Sequence, residues 1–173
     1  MDSTKEYTKN LNISDVPWNR MVTAYGTAEN YPEYLCILDN MQNIDEINEA
    51  LNDISDFEHQ STLFSPAPFA LVFLLRIYEK ARHINTPEAE WLVNELNKSF
   101  DYYLEICEDA EKMEHVEPFP EFLDILDKQY LLPKDYTEDD LDEYYENFIP
   151  DNFFYSLYYY SGIILKDYDK KIQ

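Results

Sequence analysis

Apolar residues recur along most of the chain at spacings of three and four residues, which is the period of a helix that buries one side. Leu35, Leu38 and Met41 form one such stripe. A second stripe runs through residues 44–54, where acidic residues occupy the intervening positions. Segments in which apolar and polar residues alternate, as in a half-buried strand, are almost absent. The pattern therefore predicts an all-α protein.

Prolines and capping residues indicate where the helices begin and end. Pro17 predicts a helix over residues 18–25, which Gly26 then ends in a left-handed conformation. Thr86 precedes a proline and two acids, and Thr137 precedes three acids, so both resemble N-caps. Together with the remaining prolines, these signals divide the chain into about seven to eight helices.

Two segments are expected to form the largest helices. Residues 69–81, FALVFLLRIYEKA, are the most apolar stretch, but they turn polar at Arg76 and are too short to span a bilayer. We expect them to form the central core helix. Residues 87–113 continue an apolar face for several turns and are predicted to form the longest helix.

The helical pattern predicts one domain over residues 16–173. Residues 1–15 are polar and predict a flexible lead-in, and residues 57–65 read as a connector. A chain of 173 residues can bury a core without metals or disulfides. The predicted fold class is a single-domain α-solenoid or an irregular helical bundle.

Composition excludes disorder and several classes of function. Hydrophobic residues make up 45% of the chain and aromatic residues 16%, which is enough for a packed core despite the charge. Gly26 and Gly162 are the only glycines, so neither a GxGxxG motif nor a P-loop can be present. Tight hairpins favour glycine, so a hairpin-rich fold is not expected either.

The charge is strongly negative. Asp and Glu number 36 against 13 Lys and Arg, which gives a formal net charge of −23. Such a charge repels nucleic acid and anionic membranes, so we expect direct contact with neither and favour a basic protein partner. A solvated acidic surface without any partner is the alternative. The N-terminus lacks a cationic start followed by an apolar run, so we expect a cytoplasmic protein.

No constellation of catalytic or metal-binding residues is visible in the sequence. His59, His83 and His115 share no metal-ligand spacing, and the HExxH, CxxC and GxSxG motifs are missing. Cys36 and Cys107 lie within apolar helical patterns, so we expect both to be free core cysteines. We therefore expect no enzyme activity, no cofactor and no metal site.

The first half of the chain resembles a known family. The motifs PWNR and AYGTA begin at Pro17 and Ala24, and a His59-Gln60 pair precedes an apolar helix. In these features residues 16–80 resemble small bacterial HEAT-like helical proteins of the immunity or accessory type. The serine after the pair departs from the family, which more typically has glycine there. The resemblance implies a HEAT-like helical fold and a role beside a bacterial toxin.

Negative charge is concentrated in residues 101–151. This segment contains 18 of the 36 acids but only three lysines, which gives it a net charge of −15. Its most acidic part is interleaved with tyrosines, which are enriched at the energetic centres of interfaces. The alternative is that the apolar and aromatic residues there belong to the core and the acids simply face water. The predicted partner-binding residues are Asp135, Glu138, Asp139, Asp140, Asp142, Glu143, Tyr144, Tyr145 and Glu146.

These features favour a binding protein over an enzyme. The leading hypothesis is an immunity or antitoxin-like inhibitor that binds and occludes a basic protein toxin, with a nuclease as one candidate. The first alternative is an acidic nucleic-acid mimic of the anti-CRISPR type, which would inhibit a DNA- or RNA-binding protein. The second is a HEAT-like adaptor without an inhibitory role.

Overall fold

A computed structural model describes residues 3–147 and 149–172, of which residues 169–172 are described by their backbone alone. This part of the chain contains eight α-helices and two short antiparallel hairpins, so the predicted all-α class and helix number are confirmed. The helices are α1 (Ser3–Asn10), α2 (Tyr31–Asn40), α3 (Ile44–Ile54), α4 (Ala67–Ala81), α5 (Pro87–Ile106), α6 (Phe119–Gln129), α7 (Glu138–Glu146) and α8 (Asp151–Ile172). The hairpins pair β1 (Val22–Thr23) with β2 (Gly26–Thr27), and β3 (Glu58–His59) with β4 (Thr62–Leu63).

Helix α4 lies at the centre of the molecule. Eleven of its fifteen residues are buried, as its apolar sequence predicted. Helix α8 packs along it, α5 contacts both, and α2 covers another side with α3 paired to it. The last helix, α8, packs against α4 and α5, which come from the middle of the sequence. The helices therefore do not stack pair after pair in chain order. Of the two predicted architectures, this arrangement fits the irregular helical bundle.

The prediction of the longest helix is wrong. Helix α5 has 20 residues and ends at Ile106, well before Met113, whereas α8 has 22 residues. After α5 the chain turns through a 3₁₀ helix that packs on α8. Gly162 of α8 faces the end of α5 here, and a Cβ added to it would lie 3.4 Å from the Cβ of Cys107, an ordinary van der Waals distance. None of the helices in the described ranges has the length and apolar character that crossing a bilayer requires.

The predicted helix over residues 18–25 is wrong. Only Trp18–Arg20 form a 3₁₀ turn, after which the chain enters the first hairpin. Trp18 is buried and its indole N–H donates to the carbonyl of Ile13 at 2.8 Å, whereas Tyr25 lies exposed at the hairpin turn. Gly26 belongs to β2 with φ of 153° and does not cap a helix.

The second hairpin occupies the predicted connector and turns without glycine. Gln60 and Ser61 have φ values of 49° and 67°, the left-handed conformations that a two-residue hairpin turn requires. The phenol of Tyr158 donates to the carbonyl of Ser61 at 2.8 Å and accepts from the amide of Leu63 at 3.2 Å. These long-range bonds hold the turn in place, which explains why the scarcity of glycine does not prevent it.

The N-terminal segment is helical from Ser3, where the sequence predicted a flexible lead-in over residues 1–15; residues 1 and 2 lie outside the described part of the chain. Residues 3–10 form α1, in which Tyr7 packs edge-on against Phe119 at 5.3 Å between ring centroids. Arg76 donates to the carbonyls of Thr8 and Leu11 at 2.6 and 2.7 Å. Leu11 is itself buried in the core. Residues that appear polar in sequence are therefore fixed by partners more than 60 positions away.

Candidate functional site

Helix α7 begins at the cap that the sequence predicted. The hydroxyl of Thr137 accepts from the amide of Asp140, and the Asp140 carboxylate accepts from the amide of Thr137 at 2.8 Å. Glu138 and Asp139 occupy the remaining positions of the first turn, where negative charge favours the helix dipole. The capping box and the acids of the first turn therefore explain why this strongly acidic segment forms a helix.

The predicted partner-binding residues lie on and just before α7. Asp140 is half-buried in the cap and Tyr144 is half-buried against the body of the protein. No carboxylate of this group forms an ion pair with a lysine, arginine or histidine in the described part of the chain. The group therefore presents uncompensated negative charge to solvent. Its exposed members are Asp135, Glu138, Asp139, Asp142, Glu143, Tyr145 and Glu146.

The tyrosines of α7 are used for anchoring. The phenol of Tyr145 donates to the carbonyl of Thr23 at 2.5 Å, and the phenol of Tyr144 lies 3.3 Å from the Ser65 hydroxyl. Burial raises the pKa of both phenols. No described residue of α7 is fully buried, so these contacts are a large part of what holds the helix. Tyr145 still exposes 46% of its surface and can also contact a partner.

The segment before α7 is fixed by one arginine. Arg20 forms an ion pair with Asp127, and its Nε donates to the carbonyl of Leu132 at 2.6 Å. The amide of Leu132 donates in return to the carbonyl of Arg20 at 3.0 Å. A cleft of about 420 Å³ opens between α7 and residues 129–133. The acidic helix α7 is therefore separated from residues 129–133 by this cleft, while the contacts of Arg20 fix the segment that precedes the helix.

Asp56, which lies two residues before the second hairpin, binds the first hairpin. Its carboxylate accepts from the hydroxyl of Thr23 at 2.7 Å and from the phenol of Tyr31 at 2.5 Å. Its carbonyl accepts from the amide of Ala24 at 2.9 Å. Burial raises the pKa of the Asp56 carboxyl, which these two side-chain donors partly offset. This network sets the position of the first hairpin, and through it the position of Tyr25.

Three exposed tyrosines surround the hairpins and form a surface that we term the tyrosine face. Tyr25, at the first hairpin turn, exposes 76% of its surface and contacts the ring of His59 through its phenol at 3.1 Å. Tyr102 exposes 42% and donates to Glu58, the neighbour of His59, at 2.8 Å. Tyr145 reaches the first hairpin from α7. The tyrosine face and the acidic helix are therefore contiguous.

Sequence reasoning identified one half of this surface and missed the other. Tyr145 was among the predicted binding residues, whereas Tyr25 was placed on a helix beside Trp18 and Tyr102 was not singled out. The available signal was compositional, since the chain contains 16 tyrosines, a residue type that is intermediate between core and surface. The fourth large, exposed apolar side chain among the described residues, Trp91, lies apart on α5.

Two further features bear on chemistry at the described residues, the grouping of potential metal ligands and the state of the two cysteines. No group of three or more His, Cys, Asp and Glu residues within these ranges could hold a metal ion. Cys107 is buried and free, and burial raises the pKa of its thiol to about 12, which disfavours the thiolate form that a nucleophile requires. Cys36 is also free but is exposed, which corrects the expectation that both cysteines belong to the core.

Comparison with protein-family profiles, with curated proteins and with solved structures finds no match to this chain. The resemblance of residues 16–80 to HEAT-like immunity proteins therefore stays a prediction.

Proposed function

We propose that this chain binds and occludes a basic protein, using the acidic helix α7 together with the tyrosine face. The observation that supports this proposal is the contiguity of two features that interfaces combine. Unpaired carboxylates steer a basic partner towards the surface and raise its association rate. Exposed tyrosines supply contact area at low entropic cost.

The class of partner that fits best is a basic toxin, with a nuclease as the particular candidate. A nuclease presents basic side chains where it contacts phosphates, and those side chains complement the outer face of α7. The carboxylates of Asp139, Asp142 and Glu146 lie three and four positions apart and thus form a row along one helix face. Such a row also suits the second candidate function, the nucleic-acid mimic.

A charge-reversal experiment with a matched control tests the proposal. The site variant changes Asp139, Asp142 and Glu146 to lysine and leaves Asp140 intact, because Asp140 caps the helix. The control variant changes three exposed acids elsewhere to lysine, so both variants gain the same charge. The control residues are Glu49, Glu90 and Glu114.

We expect the site variant to lose at least tenfold in affinity for the captured partner, and the control variant to lose far less. The measurement is affinity capture from native cells, followed by titration of the captured protein against wild type and both variants. Binding of the wild type should weaken as salt rises. Equal loss in the two variants would mean that only overall charge matters, and would reject the acidic helix as the interface.

The two candidate functions differ in what the chain displaces. An immunity-type inhibitor should relieve the growth defect caused by its partner when the two are co-expressed. A mimic should compete with DNA or RNA for the partner in a displacement titration. A basic partner that neither harms growth nor binds nucleic acid would exclude both the immunity-type inhibitor and the nucleic-acid mimic. The broader proposal, that the chain binds and occludes a basic protein, would still hold.

A further inference from the structure

A groove lies between α1, α4 and α8, away from α7 and the hairpins. Its volume is about 710 Å³, within the range of pockets that hold small molecules. Its apolar lining comes from two helices, with Val72 and Leu75 on α4 and Ile163 and Ile164 on α8. Leu75 and Ile163 are only half-buried, so the groove offers apolar surface that the fold leaves accessible.

The rim of this groove is cationic, in contrast to the rest of the molecule. Five of the 13 Lys and Arg residues of the chain line it, against two acids, Glu79 and Asp167. The lining therefore carries a formal charge of +3 in a chain of −23. The five cationic residues are Lys5, Lys9, Arg76, Lys80 and Lys166.

Two of these cations are available to a ligand. Lys80 pairs with Asp39 at 3.1 Å and Lys166 pairs with Glu111, so their charges are compensated. Lys5 and Lys9 form no ion pair with any residue that the structure describes. They lie four positions apart on α1 and so share one face of that helix.

Arg76 supplies a third uncompensated charge beside them. Its guanidinium donates to the carbonyls of Thr8 and Leu11, which are neutral groups and so do not cancel its charge. These bonds also fix α1 against α4, so the lysines of α1 are held over the apolar lining. An apolar channel thus has positive charge at one side.

We propose that this groove binds an amphiphilic anion, a single hydrocarbon chain with a carboxylate head. The chain would lie on Val72, Leu75, Ile163 and Ile164, and the carboxylate would contact Lys5 and Lys9. The two parts of the ligand match the two parts of the groove, since apolar burial drives the chain inward and the unpaired lysines attract the head. This proposal is independent of the proposed partner on α7.

The wild-type protein allows a direct test with two detergents of equal chain length. Dodecanoate and dodecyltrimethylammonium, both below their micelle concentrations, are titrated by calorimetry. The net charge of −23 favours the cationic head wherever binding is unspecific, so a preference for dodecanoate reports the local charge of the groove. We expect dodecanoate to bind at least tenfold more tightly, and decanoate about tenfold more weakly than dodecanoate, because two methylenes are lost.

Charge reversal identifies the site. The double variant Lys5→Glu/Lys9→Glu should lose at least tenfold in dodecanoate affinity while it binds dodecanol as wild type does. The matched control is Lys98→Glu/Lys128→Glu, which changes the net charge equally at exposed lysines outside the groove. The control should keep wild-type affinity for dodecanoate. Thermal melting of each variant verifies that it is folded.

Three results would overturn the proposal. The first is equal or tighter binding of the cationic detergent, and the second is equal loss of dodecanoate affinity in the two double variants. The third is a dimer, seen by sedimentation, that Lys5→Glu/Lys9→Glu disrupts and that dodecanoate does not displace. That result would place the acidic surface of a second copy in the groove instead.

Discussion

Ser61 shows how a single residue carries strain that the fold tolerates. Its φ of 67° is a conformation that side chains with a Cβ disfavour, and it is the position where the resembled family more typically has glycine. Its backbone is held at both groups, since its amide donates to Glu58 at 2.8 Å and its carbonyl accepts from Tyr158. Both bonds are independent of the side chain.

The variant Ser61→Gly should therefore stabilise the protein. We expect the free energy of unfolding to rise by about 0.5–1 kcal/mol, because glycine adopts this φ without a steric cost. Urea denaturation measures the change. Ser61→Ala is the control, since it removes the same hydroxyl but keeps the strained φ. If the alanine variant gained as much as the glycine variant, backbone strain would not be the cause.

At the same scale, residues that act on near neighbours were predictable and residues that act over distance were not. Thr86 and Thr137 cap their helices through amides three positions away, and both were identified from sequence. Tyr25 was misplaced because the hairpin that carries it is fixed by Asp56, more than 30 positions later. Only the fold brings that carboxylate to Thr23.

At the scale of elements, α7 has no fully buried residue among those described, and the phenols of Tyr144 and Tyr145 tie it to the rest of the protein. The bond from Tyr145 to Thr23 ties it to the first hairpin, and so joins the acidic half of the proposed interface to the tyrosine half. The capped start of α7 was predictable from its sequence, but its docking was not. The acceptor of the Tyr145 bond, the carbonyl of Thr23, belongs to a hairpin where the sequence pattern predicted a helix.

Removing this anchor should loosen α7 without unfolding the bundle. We expect Tyr145→Phe to lower the free energy of unfolding by about 1 kcal/mol, the usual worth of one hydrogen bond. Amide hydrogen exchange should accelerate in residues 138–146 and stay unchanged in α4. Tyr102→Phe, which loses an exposed bond to Glu58, is the control and should leave α7 protected. Unchanged exchange in α7 with Tyr145→Phe would contradict the anchoring role.

At the scale of the whole molecule, α8 connects two surface regions of opposite charge. One is the acidic helix α7 with the tyrosine face, and the other is the cationic groove. In the first half of α8, Tyr158 supports the second hairpin beside the tyrosine face, whereas Ile163 and Ile164 line the cationic groove. The acidic concentration was visible in sequence, because its residues are consecutive. The groove was not visible, because its cations come from α1, α4 and α8 and meet only in the folded chain.

The net charge of −23 also predicts how the stability of the whole molecule responds to salt. Self-repulsion opposes the compact state, and salt screens it over distances of about 10 Å at 0.1 M. We therefore expect the melting temperature to rise between about 20 mM and about 300 mM NaCl, by about 2–4 °C for each kcal/mol gained. Scanning calorimetry at the two concentrations measures this gain.

The charge variants described above provide an ordered series for the same measurement. Changing Asp139, Asp142 and Glu146 to lysine moves the net charge from −23 to −17, since each change adds two charges, and should reduce the gain in melting temperature. Lys98→Glu/Lys128→Glu moves it to −27 and should increase the gain. A melting temperature that falls with salt in wild type would mean that ion pairs such as Arg20–Asp127 outweigh the repulsion. In that case repulsion among the acids would lower the stability of the fold very little. The concentration of acids on α7 would then not have to be explained by a benefit in binding.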